Sequence, residues 1–378
     1  MQLAQGIQGM VRGMLQHVLT VFQCFAILVQ SKSCNRSIQM SIPKTSIYRL
    51  IKIQDGTSII AAMILQPSSL KDLSRGLSHA GALGEKIERV ELSALNRVIE
   101  HAPEDLTVTV ETGVTLPALQ VELAKRGQWL PIDPPRPERL TIRELLEENA
   151  SGPRRFGWGT IRDYLIGIKA ALADGRIIKS GGKVVKNVAG YDLAKVFVGS
   201  RGTLGVLAEA TFKLRPTPEA EEFIQARCES LDKAARLVGL ALDSELAPAV
   251  LDMHNLSVPN AQSSTGFTLV LGFAGTREEV EWQIARSREL GFCEPSSLVY
   301  DKIFWNNGSP AQRLSCLPSR LADELSRLGQ APFVARAGNG LIYHREASKA
   351  PKADLPVKLT RRLKDAFDPK RILPELSP

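Results

Sequence analysis

Residues 181–207 read GGKVVKNVAGYDLAKVFVGSRGTLGVL, a stretch rich in glycine and basic residues. Eleven of the 29 glycines of the chain lie between Gly152 and Gly205, where an even spread over 378 residues would place about four. Between Gly175 and Arg201 there are six basic residues and one acid. Clustered backbone N–H groups and positive charge favour phosphate binding. The stretch therefore predicts a site for a phosphorylated ligand, with a set of tight turns as the alternative, since turns use glycine as well.

Two common nucleotide-binding motifs are excluded. The chain contains no G-x-x-x-x-G-K-[ST] sequence, so it has no Walker loop. The G-x-x-G-x-x-G segment at 199–205 precedes a predicted strand. The dinucleotide fingerprint of a Rossmann fold instead follows a strand and opens a helix. The sequence predicts neither fold.

The residues on both sides of this stretch alternate between strand-like and helix-like patterns. Leu106–Thr112 predicts a strand by its period-two alternation, and Pro117–Arg126 predicts a helix that ends at Gly127. The prolines in Arg215–Pro218 mark the best domain boundary. Further predicted elements are strands at 165–172, 176–180, 206–214, 267–273, 332–334 and 341–343, and helices at 234–242 and 278–290.

Several stretches carry a resemblance to a known family. They are NASGPRRFGWGTIRDYLIG (149–167), ADG (173–175), FKLRPTP (212–218), DLTVTVETGVTLPALQVELAKRGQWLPIDPP (105–135) and, within the opening stretch, KNVAGYDL (186–193). With these stretches the chain closely resembles the FAD-binding (E) subunit of bacterial glycolate oxidases, which belongs to the vanillyl-alcohol-oxidase or PCMH type of flavoproteins. The resemblance is dense over 90–218 and loose over 219–378.

The resemblance implies the fold class and the domains. We expect an α+β protein with a PCMH-type FAD-binding domain of two α+β subdomains at 46–218, followed by a smaller α+β cap domain with an antiparallel sheet at 219–378. Residues 1–45 are expected to form a poorly defined N-terminal extension. Its apolar stretch Val18–Val29 is followed by no small-x-small cleavage site, so we expect an uncleaved leader or a start assigned too far upstream.

The resemblance also implies which residues hold non-covalently bound FAD. Trp158 stands where the family usually has a tyrosine. Carried over residue by residue, the expected cofactor-binding residues are Thr141, Ile142, Asn149, Ala150, Ser151, Gly152, Gly159, Thr160, Gly199, Ser200, Gly202, Thr203, Gly205 and Val206. Each of these residues also has a structural role in a turn.

Two phosphate-binding segments depart from the family pattern. The usual G-G-G-T loop is replaced by HAGALGEKIERVELSALN (79–96), whose only glycines are Gly81 and Gly84. The usual T-I-G-G-x-x-A-T-N is replaced by TIRELLEEN (141–149), which contains three glutamates. A carboxylate near a phosphate weakens binding, although Arg143 offsets part of this charge. The altered loops at 79–86 and 143–148 therefore favour a flavin-free chain as an alternative.

The cap region departs from the family as well. Related hydroxyacid dehydrogenases carry a strand with a histidine and an acid that binds metal or the substrate carboxylate, whereas residues 335–340 read ARAGNG. We therefore predict no metal site. Arg336 is suited to grip a carboxylate, but the favoured interpretation is a surface arginine. His254 and His344 have no partner visible in the sequence, so no catalytic residue is assigned.

Composition excludes other classes of protein. The formal charge is only +8, and aromatic residues are 6% of the chain and do not alternate with the basic ones, so no nucleic-acid partner is expected. The five cysteines form no C-x-x-C pair, so iron–sulfur clusters would have to lie on another chain. No run of about 18 apolar residues is present, which argues against a membrane span.

The function implied by the resemblance is that of a subunit. We expect the FAD-binding subunit of a glycolate-oxidase-like complex, an oxidoreductase that oxidises a small 2-hydroxy acid by hydride transfer to flavin. Its expected partners are a D-like flavoprotein subunit and an F-like iron–sulfur subunit. The expected location is the cytoplasm, with peripheral association at the inner face of the membrane through the complex. The alternatives are a flavin-free scaffold subunit of the same complex and a stand-alone flavin oxidoreductase that acts on another acid.

Overall fold

The computed structural model describes residues 38–40, 47–54, 58–182, 193–257, 266–307, 311–345 and 357–375, with side chains from Met63 onward. Most of the predicted N-terminal extension and most of KNVAGYDL lie outside the described residues. By its internal contacts the chain divides into two units, one of residues 1–43 and 48–62 and the other of residues 44–47 and 63–378. Strands β1 (Ile38–Met40) and β2 (Ile47–Gln54) pair antiparallel.

A strand–helix–strand segment follows, and its residues from 63 onward belong to the second unit. Strand β3 (Ser58–Leu65) leads into α1 (Leu70–Leu83), and its last three residues pair parallel with β4 (Ile87–Val90). Helix α1 begins at a capping serine, Ser69, and ends at Gly84, which has the left-handed φ of 66° that favours glycine. This segment buries one face of α1 in an apolar core.

A sheet of five strands follows, in the order β5-β6-β10-β8-β9, and all its pairs are antiparallel. The strands of this part are β5 (Val98–Ala102), β6 (Thr107–Glu111), β7 (Gln128–Trp129), β8 (Leu165–Ala171), β9 (Ile177–Gly181), β10 (Val206–Lys213) and β11 (Arg215–Pro216). The helices are α2 (Leu116–Ala124), α3 (Ile142–Glu148), α4 (Arg155–Trp158), α5 (Ile161–Tyr164) and α6 (Ala194–Phe197). The strands and the helix predicted here are confirmed within two residues at each end.

An antiparallel sheet of seven strands occupies the next part of the chain, in the order β15-β12-β14-β13-β17-β18-β16. Its strands are β12 (Ala220–Cys228), β13 (Val250–His254), β14 (Phe267–Gly275), β15 (Glu294–Pro295), β16 (Gln312–Ser315), β17 (Phe333–Arg336) and β18 (Leu341–His344). Its helices are α7 (Leu231–Asp243), α8 (Arg277–Glu289), α9 (Val299–Asn306) and α10 (Leu321–Arg327).

Helices cover both faces of this sheet, as two successive residues of β17 show. Ala335 belongs to the core that α7, α8 and α10 share with the sheet, whereas Val334 packs with Tyr300 and Phe304 of α9. Successive side chains of a strand point to opposite faces, so α9 lies on the other face from α7 and α8. The α+β fold class is confirmed, whereas the domain boundaries at 45/46 and 218/219 stay predictions.

The chain then returns to the five-stranded sheet. Helix α11 (Val357–Phe367) packs Leu363 and Phe367 against the core of that sheet, and the rings of Phe367 and Phe197 meet edge to face at 5.6 Å. Beyond α11, Ile372 and Leu373 fill the core beneath α1. The C-terminal segment therefore joins the first part of the second unit.

Candidate functional site

The glycine loop, residues 199–205, connects α6 with β10. Gly199 and Gly202 have φ angles of 80° and 72°, in the left-handed region that favours glycine. The N–H and the hydroxyl of Thr203 both donate to the carbonyl of Ser200, at 3.0 and 2.7 Å, which closes the turn. Val206 then begins the strand, as the sequence predicts.

The NASG turn, residues 149–152, follows the last residue of α3. Asn149 caps the helix with a φ of 49°, and its N–H donates to carbonyls of the last helical turn. A Cβ atom on Gly152 would lie 1.8 Å from the Asp133 carbonyl oxygen, so only glycine fits there. Ser151 is buried and its hydroxyl accepts a hydrogen bond from Arg155 at 3.1 Å.

The NASG turn and the glycine loop are brought together at the C-terminal end of α3. The Gly199 N–H donates to the Leu146 carbonyl at 2.9 Å, and the Arg201 N–H donates to the Glu147 carbonyl at 3.0 Å. A Cβ atom on Gly199 would lie 3.7 Å from the Cβ of Asn149. The glycine loop thus satisfies carbonyls that a helix end leaves unpaired.

Two buried polar atoms at this junction have no hydrogen-bond partner among the residues that the structure describes. They are the amide oxygen of Asn149 and the hydroxyl oxygen of Ser200, whose residue is only 7% exposed. An unpaired buried polar group costs roughly 1–3 kcal/mol, so folded chains generally pair such groups with protein, water or a ligand. The junction therefore has the character of a binding site for a group with polar edges.

The N-terminal end of α3 differs. The hydroxyl of Thr141 accepts from the N–H of Glu144 at 3.2 Å, and the Glu144 carboxylate accepts from the Thr141 N–H at 2.9 Å, which makes a capping box. The N–H groups of Ile142 and Arg143 donate to carbonyls of Val114 and Thr112 at 2.8 Å. The structure therefore gives these N–H groups partners within the chain. Seven helical residues, about 10 Å, separate them from the NASG turn.

Gly159 and Thr160 lie in a third turn, between α4 and α5. The carboxylate of Asp163 accepts from the N–H and the hydroxyl of Thr160 at 2.8 and 2.9 Å. The hydroxyl of Tyr164 donates to the Trp158 carbonyl at 2.6 Å. These contacts give both residues a structural part in the turn, and their role toward a cofactor stays a prediction.

The residues that replace the family's usual phosphate-binding segments, Glu147 and residues 79–84 among them, have structural roles of their own. The carboxylate of Glu147 lies 3.1 Å from Arg143 and 3.2 Å from the position of a Cβ on Gly202, beneath the glycine loop. Burial raises the pKa of the Glu147 carboxyl, with Arg143 opposing. Residues 79–84 form the C-terminal end of α1, where carbonyl oxygens rather than N–H groups are exposed to a ligand.

The interpretation of Arg336 as a surface residue is wrong. Its side chain is 1% exposed, and the guanidinium lies 2.5 Å from Asp252 and 2.6 Å from Asp301. A buried charge is stable only when it is paired, and these partners supply the pairing. Asp252 and Asp301 are 84 and 35 residues away in the chain, so no local pattern indicates them.

Both histidines that the sequence analysis discussed are buried in the seven-stranded sheet. The ring of His254 stacks on Tyr300 at a centroid distance of 4.6 Å, and the Tyr300 hydroxyl donates to Asp252 at 2.6 Å. Burial lowers the pKa of His254 to about 4, so its ring is neutral at physiological pH. His344 is 2% exposed and lies on β18, opposite Phe333 of β17.

Arg154 joins the NASG turn to the seven-stranded sheet. Its backbone N–H and its guanidinium both donate to Asp133 at 3.1 Å, and the guanidinium also reaches Glu221 on β12 at 2.6 Å. The Gly157 N–H donates to the Ala249 carbonyl at 3.0 Å. Burial raises the pKa of the Asp133 carboxyl to about 7, with Arg154 opposing. A carboxyl that titrates near neutrality therefore lies against the NASG turn.

Comparisons with known proteins agree with this arrangement. Residues 70–181 match the family described as "FAD binding domain". The chain is 40% identical over 158 residues to the glycolate oxidase subunit GlcD of Bacillus subtilis, which covers 42% of this chain and 34% of the relative. It is 38% identical over 124 residues to the glycolate oxidase subunit GlcE of Escherichia coli, which covers 32% of this chain and 35% of the relative. The matched part of the chain thus spans about a third of the length of either relative.

A solved structure shows the same fold. Alkyldihydroxyacetonephosphate synthase superposes with a TM-score of 0.64 over 84% of this chain and 78% of its own, at 15% sequence identity. Residues 70–181 therefore match an FAD-binding domain, and the α+β fold of the chain is of the PCMH type. The chain is related to the glycolate oxidase subunits, and FAD is the cofactor of its matched domain.

The residues at the junction fit the flavin part of FAD. The flavin ring system presents N–H and C=O groups along one edge, and the unpaired oxygens of Asn149 and Ser200 are suited to pair with such groups. The glycine loop and the NASG turn would hold the cofactor, which would supply the capacity to accept a hydride. Within the described residues no helix is long and apolar enough to cross a membrane.

Proposed function

We propose that the chain is the FAD-binding subunit of a glycolate-oxidase-like complex that oxidises a small 2-hydroxy acid. The observation that carries this proposal is the junction of the NASG turn with the glycine loop, where two buried polar atoms have no hydrogen-bond partner among the described residues. Buried polar atoms are generally paired with protein, water or a ligand, and a bound flavin would supply partners for these two. In the proposed assignment, 46–218 is the FAD-binding domain and 219–378 the cap.

The chemistry needs a cation beside the cofactor and a site shielded from water. Oxidation of a 2-hydroxy acid to a 2-oxo acid removes a hydride from C2 and a proton from the hydroxyl group, and FAD held by the NASG turn and the glycine loop would supply the hydride acceptor. Arg155 lies three residues beyond the NASG turn, and its guanidinium donates to the Ser151 hydroxyl at 3.1 Å. Burial lowers its pKa, while its guanidinium stays charged and suited to hold a carboxylate.

The cap closes this region from the other side. Phe156 packs so tightly against Gly338 that a Cβ atom there would lie 2.3 Å from the ring. The bridge from Asp133 through Arg154 to Glu221 holds the NASG turn against the same sheet. These contacts hold the NASG turn against the seven-stranded sheet, so the proposed reaction site lies at this turn, near Arg155.

The partners are part of the proposal. We infer that a D-like flavoprotein subunit and an F-like iron–sulfur subunit complete the complex, because the relatives are named as glycolate oxidase subunits. The proposed location is the cytoplasmic face of the membrane, reached through the complex. No nucleic acid is expected among the partners.

A flavin-free scaffold subunit is the second candidate, and a specific observation favours it. The first N–H groups of α3 already have partners within the chain, and residues 79–84 end a helix instead of forming a phosphate loop. Such a chain would keep the fold and the subunit contacts without the cofactor.

One experiment separates the two candidates. The purified chain, alone and with its partner subunits, is examined for flavin absorption near ~375 and ~450 nm and then mixed anaerobically with glycolate or D-lactate. The proposed function predicts flavin bands that bleach with one of these acids as the 2-oxo acid accumulates. A folded chain that stays colourless with added FAD supports the scaffold. A coloured chain whose flavin none of the acids reduces contradicts the proposed oxidation.

A further inference from the structure

One lysine connects the C-terminal helix to the glycine loop. Lys364 lies on α11 and its side chain is 3% exposed. Its ammonium group donates to the carbonyl oxygen of Thr203 at 2.9 Å, in the middle of the glycine loop. A residue 161 positions away in the sequence thus contacts the loop that the fold assigns to the cofactor.

The ammonium group is surrounded by acceptors. Besides Thr203 it contacts the carboxylate of Asp368 at 2.7 Å and the carbonyls of Leu373 and Pro374 at 3.1 and 2.9 Å. An ammonium has three protons to donate, so these acceptors satisfy it fully. The Asp368 carboxylate in turn accepts the N–H groups of Ile372 and Leu373. The result is a closed buried network that ends on the glycine loop.

Packing of α11 does not require this lysine. Leu363 and Phe367 already bury the apolar side of the helix, and a buried ion pair stabilises a fold no better than apolar residues of similar volume. The distinctive effect of Lys364 is the direction it gives to the Thr203 carbonyl. The described residues contain no cis peptide bond, and in a trans peptide the C=O and the following N–H point in opposite directions. The N–H of Leu204 therefore points away from α11.

We propose that Lys364 is a positioning residue for the cofactor. By holding the Thr203 carbonyl toward α11, it turns the glycine loop so that the Leu204 N–H faces the opposite side, where the cofactor binds. The C-terminal segment 357–375 is then part of the cofactor site although it contributes no group that touches FAD. This inference rests on the proposed function, because it assigns the glycine loop to FAD.

The test compares three variants of the full chain. Lys364→Met removes the ammonium, and Lys364→Met/Asp368→Asn removes the charge left behind while keeping an acceptor for the N–H groups of Ile372 and Leu373. Lys370→Met is the matched control, since Lys370 belongs to the same segment but donates to the Gly81 carbonyl at 2.7 Å, on α1. The readouts are the dissociation constant of FAD from flavin-free protein, the Tm, and hydrogen–deuterium exchange of amides 200–205 without flavin.

The expected results separate an effect on the orientation of the glycine loop from an effect on the stability of the chain. Because the glycine loop would no longer be held in its binding orientation, Lys364→Met should weaken FAD binding at least about tenfold. The double variant should regain most of the Tm but not the FAD affinity, and amides 200–205 should exchange faster in both variants. Lys370→Met should leave the affinity and the exchange of these amides within about twofold of wild type.

Two outcomes would overturn the proposal. One is FAD affinity within twofold of wild type in Lys364→Met, and the other is a double variant that regains the affinity together with the Tm. If the wild-type chain binds no FAD, the proposed function fails, and the exchange data alone decide on Lys364. Unchanged exchange at 200–205 in Lys364→Met then rejects its role in positioning the loop.

Discussion

The two ends of α3 differ in how their polar side-chain atoms are hydrogen-bonded. At its N-terminal end the capping box of Thr141 and Glu144 and two backbone hydrogen bonds occupy the N–H groups within the chain. At its C-terminal end the carbonyls of Leu146 and Glu147 are paired as well, but among the described residues the amide oxygen of Asn149 and the hydroxyl oxygen of Ser200 have no hydrogen-bond partner. Buried polar atoms are generally paired with protein, water or a ligand, so we expect a ligand at this end. We therefore expect cofactor contact at the NASG turn rather than at Thr141 and Ile142.

The largest effect is expected at Gly152. Replacement with alanine places a Cβ atom 1.8 Å from the Asp133 carbonyl oxygen, so the NASG turn must move. We expect a loss of about 3–5 kcal/mol in the free energy of unfolding, together with the loss of FAD binding. Chemical denaturation and FAD titration measure both. Gly239→Ala is the control, because no atom lies within 4 Å of the new methyl group and alanine favours the helix. Wild-type stability in Gly152→Ala would contradict the described turn.

The hydroxyl groups of Ser200 and Thr203 in the glycine loop differ in hydrogen bonding, so two variants can test the role of unpaired atoms. Ser200→Ala removes an unpaired buried hydroxyl, so the flavin-free chain should keep its stability or gain up to about 1 kcal/mol, while FAD affinity falls about 2–10-fold. Thr203→Val removes a hydroxyl that donates to the Ser200 carbonyl at 2.7 Å. It should cost about 1 kcal/mol of stability and leave FAD affinity unchanged. Equal responses of the two variants would remove the argument from unpaired atoms.

The other end of α3 should respond only in stability. Thr141→Ala removes the capping hydroxyl and should cost about 1 kcal/mol, with FAD affinity unchanged. Thr276→Ala is its counterpart, because Thr276 and Glu279 form the same capping box at the start of α8. The two variants should lose similar stability in thermal unfolding. A tenfold loss of FAD affinity confined to Thr141→Ala would show that the N-terminal end contacts the cofactor, as the family resemblance implies.

The sequence predicts the local features of the site well. Glycines at 199, 202 and 205 and the N-A-S-G segment are readable because tight turns depend on the residues within them. The capping box was predictable too, since T-x-x-E at 141–144 is its signature. The family resemblance instead led to the interpretation of this segment as an altered phosphate loop. A resemblance indicates what relatives do at a position and does not show what the replacing residues do.

Contacts between distant parts of the chain were not predictable. Arg336 was interpreted as a surface residue because its two carboxylate partners lie in other elements. Lys364 looks like any lysine on an amphipathic helix until the fold brings it to Thr203. The local sequence pattern predicts the turns. The pairing of buried charges depends instead on the order of strands in the sheet and on the position to which the C-terminal segment returns.

The smallest expected effect concerns the acid beneath the glycine loop. Burial raises the pKa of Glu147 in the folded chain, so protonation of this carboxyl favours the folded state. This contribution is fully present below the ordinary glutamate pKa of about 4.3 and is lost as the pH rises through the raised value. Glu147→Gln stays neutral and still accepts from Arg143, so its stability relative to wild type should increase from pH 4 toward neutral pH, by less than the loss in Thr141→Ala. Denaturation at several pH values measures this trend. If the difference is constant with pH, or decreases toward neutral pH, Glu147 is ionised without penalty and does not report on burial beneath the loop.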